Sequence, residues 1–581
     1  MTKHSGNFGE EINLLRELPA RRGFSVIYRD KTLLSRIDPV AQGERLAAAI
    51  PVKERTLYFC PSPVYGYGLS LFLARLQNEL QQKNSAVLCI EADENLFKIS
   101  EKAFKELNGN ADSSLYSNTN GSLQVLALTN ASTPESLCSF VQKTWGERVF
   151  RRVEVMRLTG GWQLYPELYD DLAGTLRRKI AREWSNAMTL IRLGRLYTRN
   201  MICNLASLPD SENINTFNFG SSPVLVLGAG LSLDPLLNEL SVLSGGKMSG
   251  PGHRRFRIIC VDTCIPALLD RQIIPDLAVI LESQHWNLRD FTGARNQKID
   301  AALDLSALPA STRVLGGKRF FFTTPWTELK LFGRLKDAGL LPESFVPLGS
   351  VGLSAVALAL QLGSGPVFTG GIDFAYTLDS YHARSTPGYK DREKSQNRFR
   401  SILNAAAVAE RSFTTLSKTG IAVRSDPVMR NYQNLFAEEF GGNPRLMDIS
   451  GPGLPLGIKT VSAGEAFAVL NGGKESGLNR PPVHPGMSGI QREKIAAFVR
   501  QEIDALEALK QIMTGEDGAG LARMEELLDA LDYLWAHFPD CAGRGGCRPQ
   551  GTDIGFLKRV RAEIEPFLKL WNMTLDELSK V

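Results

Sequence analysis

No apolar run in this chain approaches the roughly 20 residues a helix needs to cross a bilayer. The opening residues, MTKHSGNFGEEINLL, lack the apolar core of a signal peptide, so the expected location is the cytoplasm. There is no long run of Lys or Arg, and a net charge of +5 is small for 581 residues. Charge therefore gives no reason to expect nucleic acid or a membrane surface as a partner. Cysteine is sparse: eight residues are scattered without the spacing of a disulfide framework. Cys89 and Cys260 lie inside apolar, strand-like runs and read as buried thiols. His537, Cys541 and Cys547 come nearest to a metal cluster, but their spacing is not that of a zinc site. A Gly-rich surface loop is the reading adopted there, and no metal site is expected.

What remains, 43% hydrophobic and 22% charged residues, is the composition of an ordinary globular protein. The length exceeds one comfortable core and predicts three or four domains. Residues 1–150 read as a small α/β domain. Arg55–Cys60 is a strand, 69–82 an amphipathic helix, and Ser85–Ile90 a second strand closed by Glu91. That is a βαβ start, although Val64 stands where a phosphate-binding turn would have its first glycine. Residues 151–216 read as a helical bridge followed by a polar linker at 209–216, with Trp162, Tyr165, Tyr169 and Trp184 as packing residues. Residues 484–581 read as a terminal helical domain, a candidate surface for capping the core or for homo-oligomer contact.

Between them, 217–475 alternates short apolar strands with helices, the pattern of a doubly wound parallel sheet. In Pro223–Asp234 an apolar strand runs through Gly228-Ala-Gly230 into a helix predicted to start at Ser232. Such a turn aims backbone N–H groups and a helix dipole at an anion. Gly349-Ser350 opens a second apolar helix in the same way, either as another anion site or as tight packing of that helix on the sheet. Ligands of such sheets bind at the strands' C-terminal ends. That rule predicts one rim carrying Asp262, Glu282 and Asp373 beside the Gly228 turn. The loop after Gly370-Gly371 adds Tyr376, Tyr381 and His382, a base and hydroxyl donors in one segment.

VLGAGLSLD, LLDRQIIPDLAVILES and GSVGLSAVALALQLGSGPVFTGGIDFAYTLDSYHA, taken in that order, resemble the Maf (motility accessory factor)/MptE-like family, best over about 220–400. The resemblance implies a sialyltransferase-like central fold and one of two activities. The Maf branch transfers nonulosonic acids from CMP-activated donors to Ser or Thr of flagellin. The MptE branch transfers diphosphate from ATP to a hydroxymethylpterin. The multi-domain layout is closer to the first. On that reading Gly228, Gly230 and Ser232 hold phosphate or nucleoside and Ser350 assists. Tyr381 donates to the departing phosphate, and His382 or Asp373 accepts the acceptor's proton. No cofactor is needed beyond the sugar nucleotide, whereas the phosphotransferase reading asks for Mg²⁺ on carboxylates such as Glu282 and Asp373. The implied partners are the nucleotide-sugar and flagellin or another cytoplasmic acceptor. A third reading, in which the fold is kept only as a scaffold that binds flagellin, also stands.

Overall fold

The computed structural model describes residues 15–80, 84–107, 125–146, 149–243, 254–404, 411–472, 492–515, 520–542 and 553–580. Cys547 lies outside them. The chain forms two compact units, one of residues 1–192 with 536–549, the other of 193–535 with 550–581.

In the first unit, four parallel strands run in the spatial order Leu126–Thr129, Ala86–Ile90, Thr56–Pro61, Arg152–Val155. The sheet reverses direction of growth beside its first strand, Thr56–Pro61. The turn after that strand is strained: Ser62 and Val64 have φ of 47° and 51°, a region that β-branched residues rarely enter. The helix Pro166–Leu205 follows, and its Tyr169, Leu172, Leu176 and Ile180 belong to this unit's core.

In the second unit, nine strands form one sheet in which every neighbouring pair is parallel. From one edge the order is Lys459–Val461, Leu446–Ile449, Val367–Gly370, Val224–Leu227, Arg257–Val261, Leu277–Ile280, Asp300–Asp304, Arg319–Phe322 and Glu212–Asn213. The inner strands are continuous apolar runs, all buried, as strands covered on both faces must be. Growth runs one way from Val224–Leu227 to Arg319–Phe322, then restarts on its other side with Val367–Gly370. The crevice between those two strands' C-terminal ends is therefore a topological switch point. The helix Val351–Leu362 is apolar around most of its surface and packs against the sheet centre. Asn200 and Asn204, one turn apart in the long helix, donate to the carbonyls of Ser283, Ser306, Leu305 and Ala307 just beyond the strand ends.

The structure departs from the predicted boundaries in two ways. The supposed linker 209–216 supplies the edge strand Glu212–Asn213, paired with Phe320 and Phe321. The helices Arg492–Thr514, Leu521–Ala530 and Ile554–Ser579 belong to the same unit as the sheet. Arg334 forks onto buried Glu502 at 2.7 and 3.0 Å, and Asp532 caps the helix Lys330–Asp337 through the Lys330 N–H. Separate domains would not share buried charges in this way.

Candidate active site

Three glycine-containing turns meet at the switch point. The Gly228 N–H donates to the Gly370 carbonyl at 2.8 Å and the Gly230 N–H to the Gly371 carbonyl at 2.7 Å. A Cβ on Gly228 would sit 2.5 Å from the Gly371 oxygen, and one on Gly230 would fall onto the Asp373 carboxylate. Gly371 has φ of 74°, the left-handed region where glycine carries no penalty. The third turn enters alongside: Gly352 lies against Ile372, which also touches Gly228. Gly349, with φ of 68°, faces the ring of Tyr432, and the Ser350 side chain makes no cap to its own helix.

Asp373 is the clamp of this arrangement. Its carboxylate accepts from the Ser232 N–H at 2.7 Å and from the Ser232 hydroxyl at 2.8 Å, and Gly371 N–H donates to that same hydroxyl oxygen. Burial raises the Asp373 pKa, opposed by Lys418 and by the Ser232 hydrogen bonds. The helix begins at Leu233, one residue later than predicted. Ser232, expected to face a ligand, is thus engaged by Asp373, and so is its N–H. The glycines serve the approach of one turn to another.

Charge on the open side comes from elsewhere. His382 lies close to the Ala229 backbone, which the next residue binds through the Ala383 N–H to the Ala229 carbonyl at 3.0 Å. Although the residue is exposed at the surface, desolvation of its ring lowers the His382 pKa, and Arg392 and Arg289 lower it further. The Arg392 guanidinium lies 4.6 Å from the Tyr381 ring centre, and Tyr381 packs on Tyr376 at 4.5 Å. Burial raises the Tyr381 pKa, keeping its hydroxyl protonated as a donor. Tyr376 is wholly buried, and its hydroxyl has no hydrogen-bond partner among the described residues.

One strand over, Asp262 is buried and its pKa is pushed up to about 7 by desolvation and by neighbouring Asp290. Asn287 donates to Asp262 at 2.7 Å and more distantly to Asp290, and Thr263 N–H also binds Asp262. Glu282 at the next strand end is exposed and turned to the Gln284 N–H at 2.8 Å. Gly228, Gly230, Ser232, Gly349, Ser350, Asp373, Tyr381 and His382 therefore gather at the switch point. Asp262 stands on the flanking strand, while Glu282 joins no contact with the turns. Asp373, with its oxygens on Ser232, and Glu282, turned away, do not fit a shared Mg²⁺ ion. Among the described residues no group of three or more His, Cys, Asp and Glu is arranged for a metal.

Arg289, Asn287, Asp290, Arg392 and Tyr432 were not singled out from sequence. They sit in loops and helices without periodic or motif signals, and only the sheet order makes them neighbours. The matching turn of the first unit is filled by its own side chains. There Glu91, raised to about 7 by burial, accepts from Ser62 at 2.7 Å and Tyr169 at 3.2 Å, while Asp93 accepts from Tyr28 and Tyr165.

Residues 199–379 match the family described as 6-hydroxymethylpterin diphosphokinase MptE-like. An uncharacterized protein of Treponema pallidum (strain Nichols) is 29% identical over 574 residues, covering 96% of this chain and 94% of that one. In fold, the chain is similar to the Maf glycosyltransferase from Magnetospirillum magneticum AMB-1, with a TM-score of 0.54 at 13% identity. That likeness covers 98% of this chain and 93% of the other. No helix among the described residues is long and apolar enough to cross a membrane. The segment 199–379 thus matches the MptE-like family, and it is set in a chain similar in fold to the Maf glycosyltransferase over nearly its whole length.

Proposed function

We propose that this protein is a glycosyltransferase that moves a nonulosonic, sialic-acid-like sugar from a CMP-activated donor to a Ser or Thr hydroxyl of flagellin or another acceptor protein. The observation that carries this reading is the open rim of the switch point, where the His382–Ala383 segment is bonded to the Ala229 backbone and Arg392 lies on the Tyr381 ring, with Arg289 adding positive charge. Both ends of such a donor are anionic, phosphate on one side and sugar carboxylate on the other. Two guanidinium groups suit them, and the dipole at the helix N-terminus at Val351 favours negative charge as well. In the reaction the acceptor oxygen attacks the anomeric carbon. The bond from that carbon to the phosphate oxygen breaks, and CMP leaves with the electron pair. The hydroxyl proton passes to the imidazole of His382, whose lowered pKa keeps it neutral and basic near pH 7. Tyr381 donates to the departing phosphate. A positioned base of this kind contributes roughly 10²–10⁴-fold. Asp373 has a positioning part, since it joins the two turns on which His382 and the phosphate site are built.

A test is the thermal stability of the pure protein with CMP, CDP or ATP, each with and without Mg²⁺. A ligand at a hundred times its dissociation constant stabilises by about 2.7 kcal/mol, readily seen as a shift in Tm. Metal-independent stabilisation by CMP is expected. The description of the matching family favours one second reading, a diphosphokinase, and a response confined to ATP with Mg²⁺ would establish it instead. In the transferase assay, His382→Ala should slow turnover at least about tenfold with CMP stabilisation retained. Wild-type turnover would remove His382 from the mechanism.

A further inference from the structure

The chain's positive charge is concentrated in one stretch. Residues 384–430 hold ten Lys and Arg against four Asp and Glu, a larger excess than the +5 of the whole protein. Among the described residues, neither Arg398 nor Arg400 forms an ion pair with a carboxylate, and both are exposed. Apolar side chains stand open in the same stretch: Phe399 is 84% exposed, Leu403 68% and Leu416 65%.

Within it lies a hairpin, Phe413–Leu416 paired antiparallel with Ala422–Ser425. The inner strand is docked on the site loop, since Arg424 and Tyr376 exchange both backbone hydrogen bonds at 2.9 Å. The tip is anchored by Lys418, which reaches Asp448 at 2.6 Å. Among the described residues no strand pairs with the outer strand on its far side. Ser417 N–H bonds the Ile421 carbonyl, so by the alternation of an antiparallel ladder Thr415 and Phe413 also face inward. Thr414 and Leu416 then turn their N–H and C=O groups to the open edge. An exposed edge of this kind is a template for another strand.

We infer that Phe413–Leu416 is a docking edge for an extended, acidic polypeptide, which adds to the hairpin as a further strand and whose carboxylates meet the arginines of this stretch, among them Arg430, which bonds Thr415 and lies over the Phe413 ring. An anionic membrane or a nucleic acid would use the charge but not the ladder groups, so the edge favours a polypeptide. With strands about 4.8 Å apart, the docked strand lies on the order of 14 Å from Tyr376. It is a docking segment, and the reacting residue stands some four or more extended residues along the chain. Calling that polypeptide the acceptor rests on the transferase reading, whereas the edge itself does not.

The experiment measures binding of a fluorescein-labelled peptide of alternating Glu and Val by anisotropy at low salt, without any nucleotide. Phosphatidylserine vesicles and polyuridylate are run in parallel. Thr414→Pro removes an outward N–H without touching the hairpin's own ladder, and an Arg398→Glu, Arg400→Glu double variant changes only exposed charge. Saturable peptide binding, weakened at least about tenfold by each variant, is expected. Stabilisation by CMP should be unchanged in both variants. Absence of binding, insensitivity to either variant, or tighter capture of vesicles or polyuridylate overturns the docking edge. Peptide binding without any response to CMP would leave the edge standing and remove the transferase reading.

Discussion

At the scale of residues, the central fact is that Ser232 and Asp373 bind each other across 141 positions of sequence. Ser232→Ala should leave the buried carboxylate short of a donor at a cost of about 1–3 kcal/mol. The check is a fall in the urea midpoint at unchanged m-value. Loss of turnover with no loss of stability would contradict the clamp. For His382 the proposed role predicts the opposite pattern, an effect on turnover and none on stability. A lowered pKa means that the base-competent neutral form persists to lower pH, so the acid limb of kcat/KM should lie below the usual histidine value of about 6.5. Removing one of the positive charges that depress it, as in Arg392→Gln, should move that limb upward. A limb that stays put in this variant would assign it to another group. The glycines and the acidic and aromatic residues of this site were legible in sequence, because glycine pairs ending an apolar strand have few other uses. Their partner was not. A GxG turn reads the same whether a phosphate or a second turn approaches it, and only the fold brings Gly371 and Asp373 there.

At the scale of elements, legibility followed burial on both faces. Val224–Leu227, Arg257–Val261 and Leu277–Ile280 are buried runs, apolar except for Arg257, and such runs read as strands of a sheet covered on both faces. Asp300–Asp304, an Ala-Ala-Leu core between two aspartates, has no such signature, and Glu212–Asn213 is too short and polar to have one. Both owe their conformation to the strands beside them, as β-propensity does generally. The terminal helices were legible as helices, yet not as part of the sheet's unit, because buried carboxylates, Glu502 and Asp532, make that connection. Glu502 is held by Arg334 and by Tyr533, whose oxygen also accepts from Trp571. Arg334→Ala should therefore cost about 3–5 kcal/mol, while Arg334→Met with Glu502→Leu should recover much of it. Equilibrium unfolding of the wild type, Arg334→Met, Glu502→Leu and their double variant completes a cycle, and additive effects would mean the pair is not coupled.

At the scale of the whole molecule, two units repeat one plan: a parallel sheet that grows outward from an inner strand, Thr56–Pro61 in one and Val224–Leu227 in the other, and then restarts on that strand's other side. In the first unit, tyrosines and carboxylates occupy the switch point; in the second, an imidazole and guanidinium groups line it. A nucleotide should accordingly stabilise the second unit selectively. Hydrogen exchange with saturating CMP should slow around 224–243 and 349–373 and leave 56–61 and 86–90 unchanged. Equal protection of both regions would give the first unit a ligand of its own.

The Lys418 anchor carries a consequence for how the hairpin can move. Its ammonium is the counter-charge of Asp448, which burial still raises to about 6, with Asp373 nearby as a second carboxylate and Thr369 donating to Asp448. Lifting the hairpin would part the ammonium of Lys418 from a carboxylate with almost no water of its own, since both side chains are buried. An edge open to a further strand is thus fastened to the sheet at a buried ion pair, and in hydrogen exchange Lys418→Met should free the hairpin tip while leaving the sheet intact.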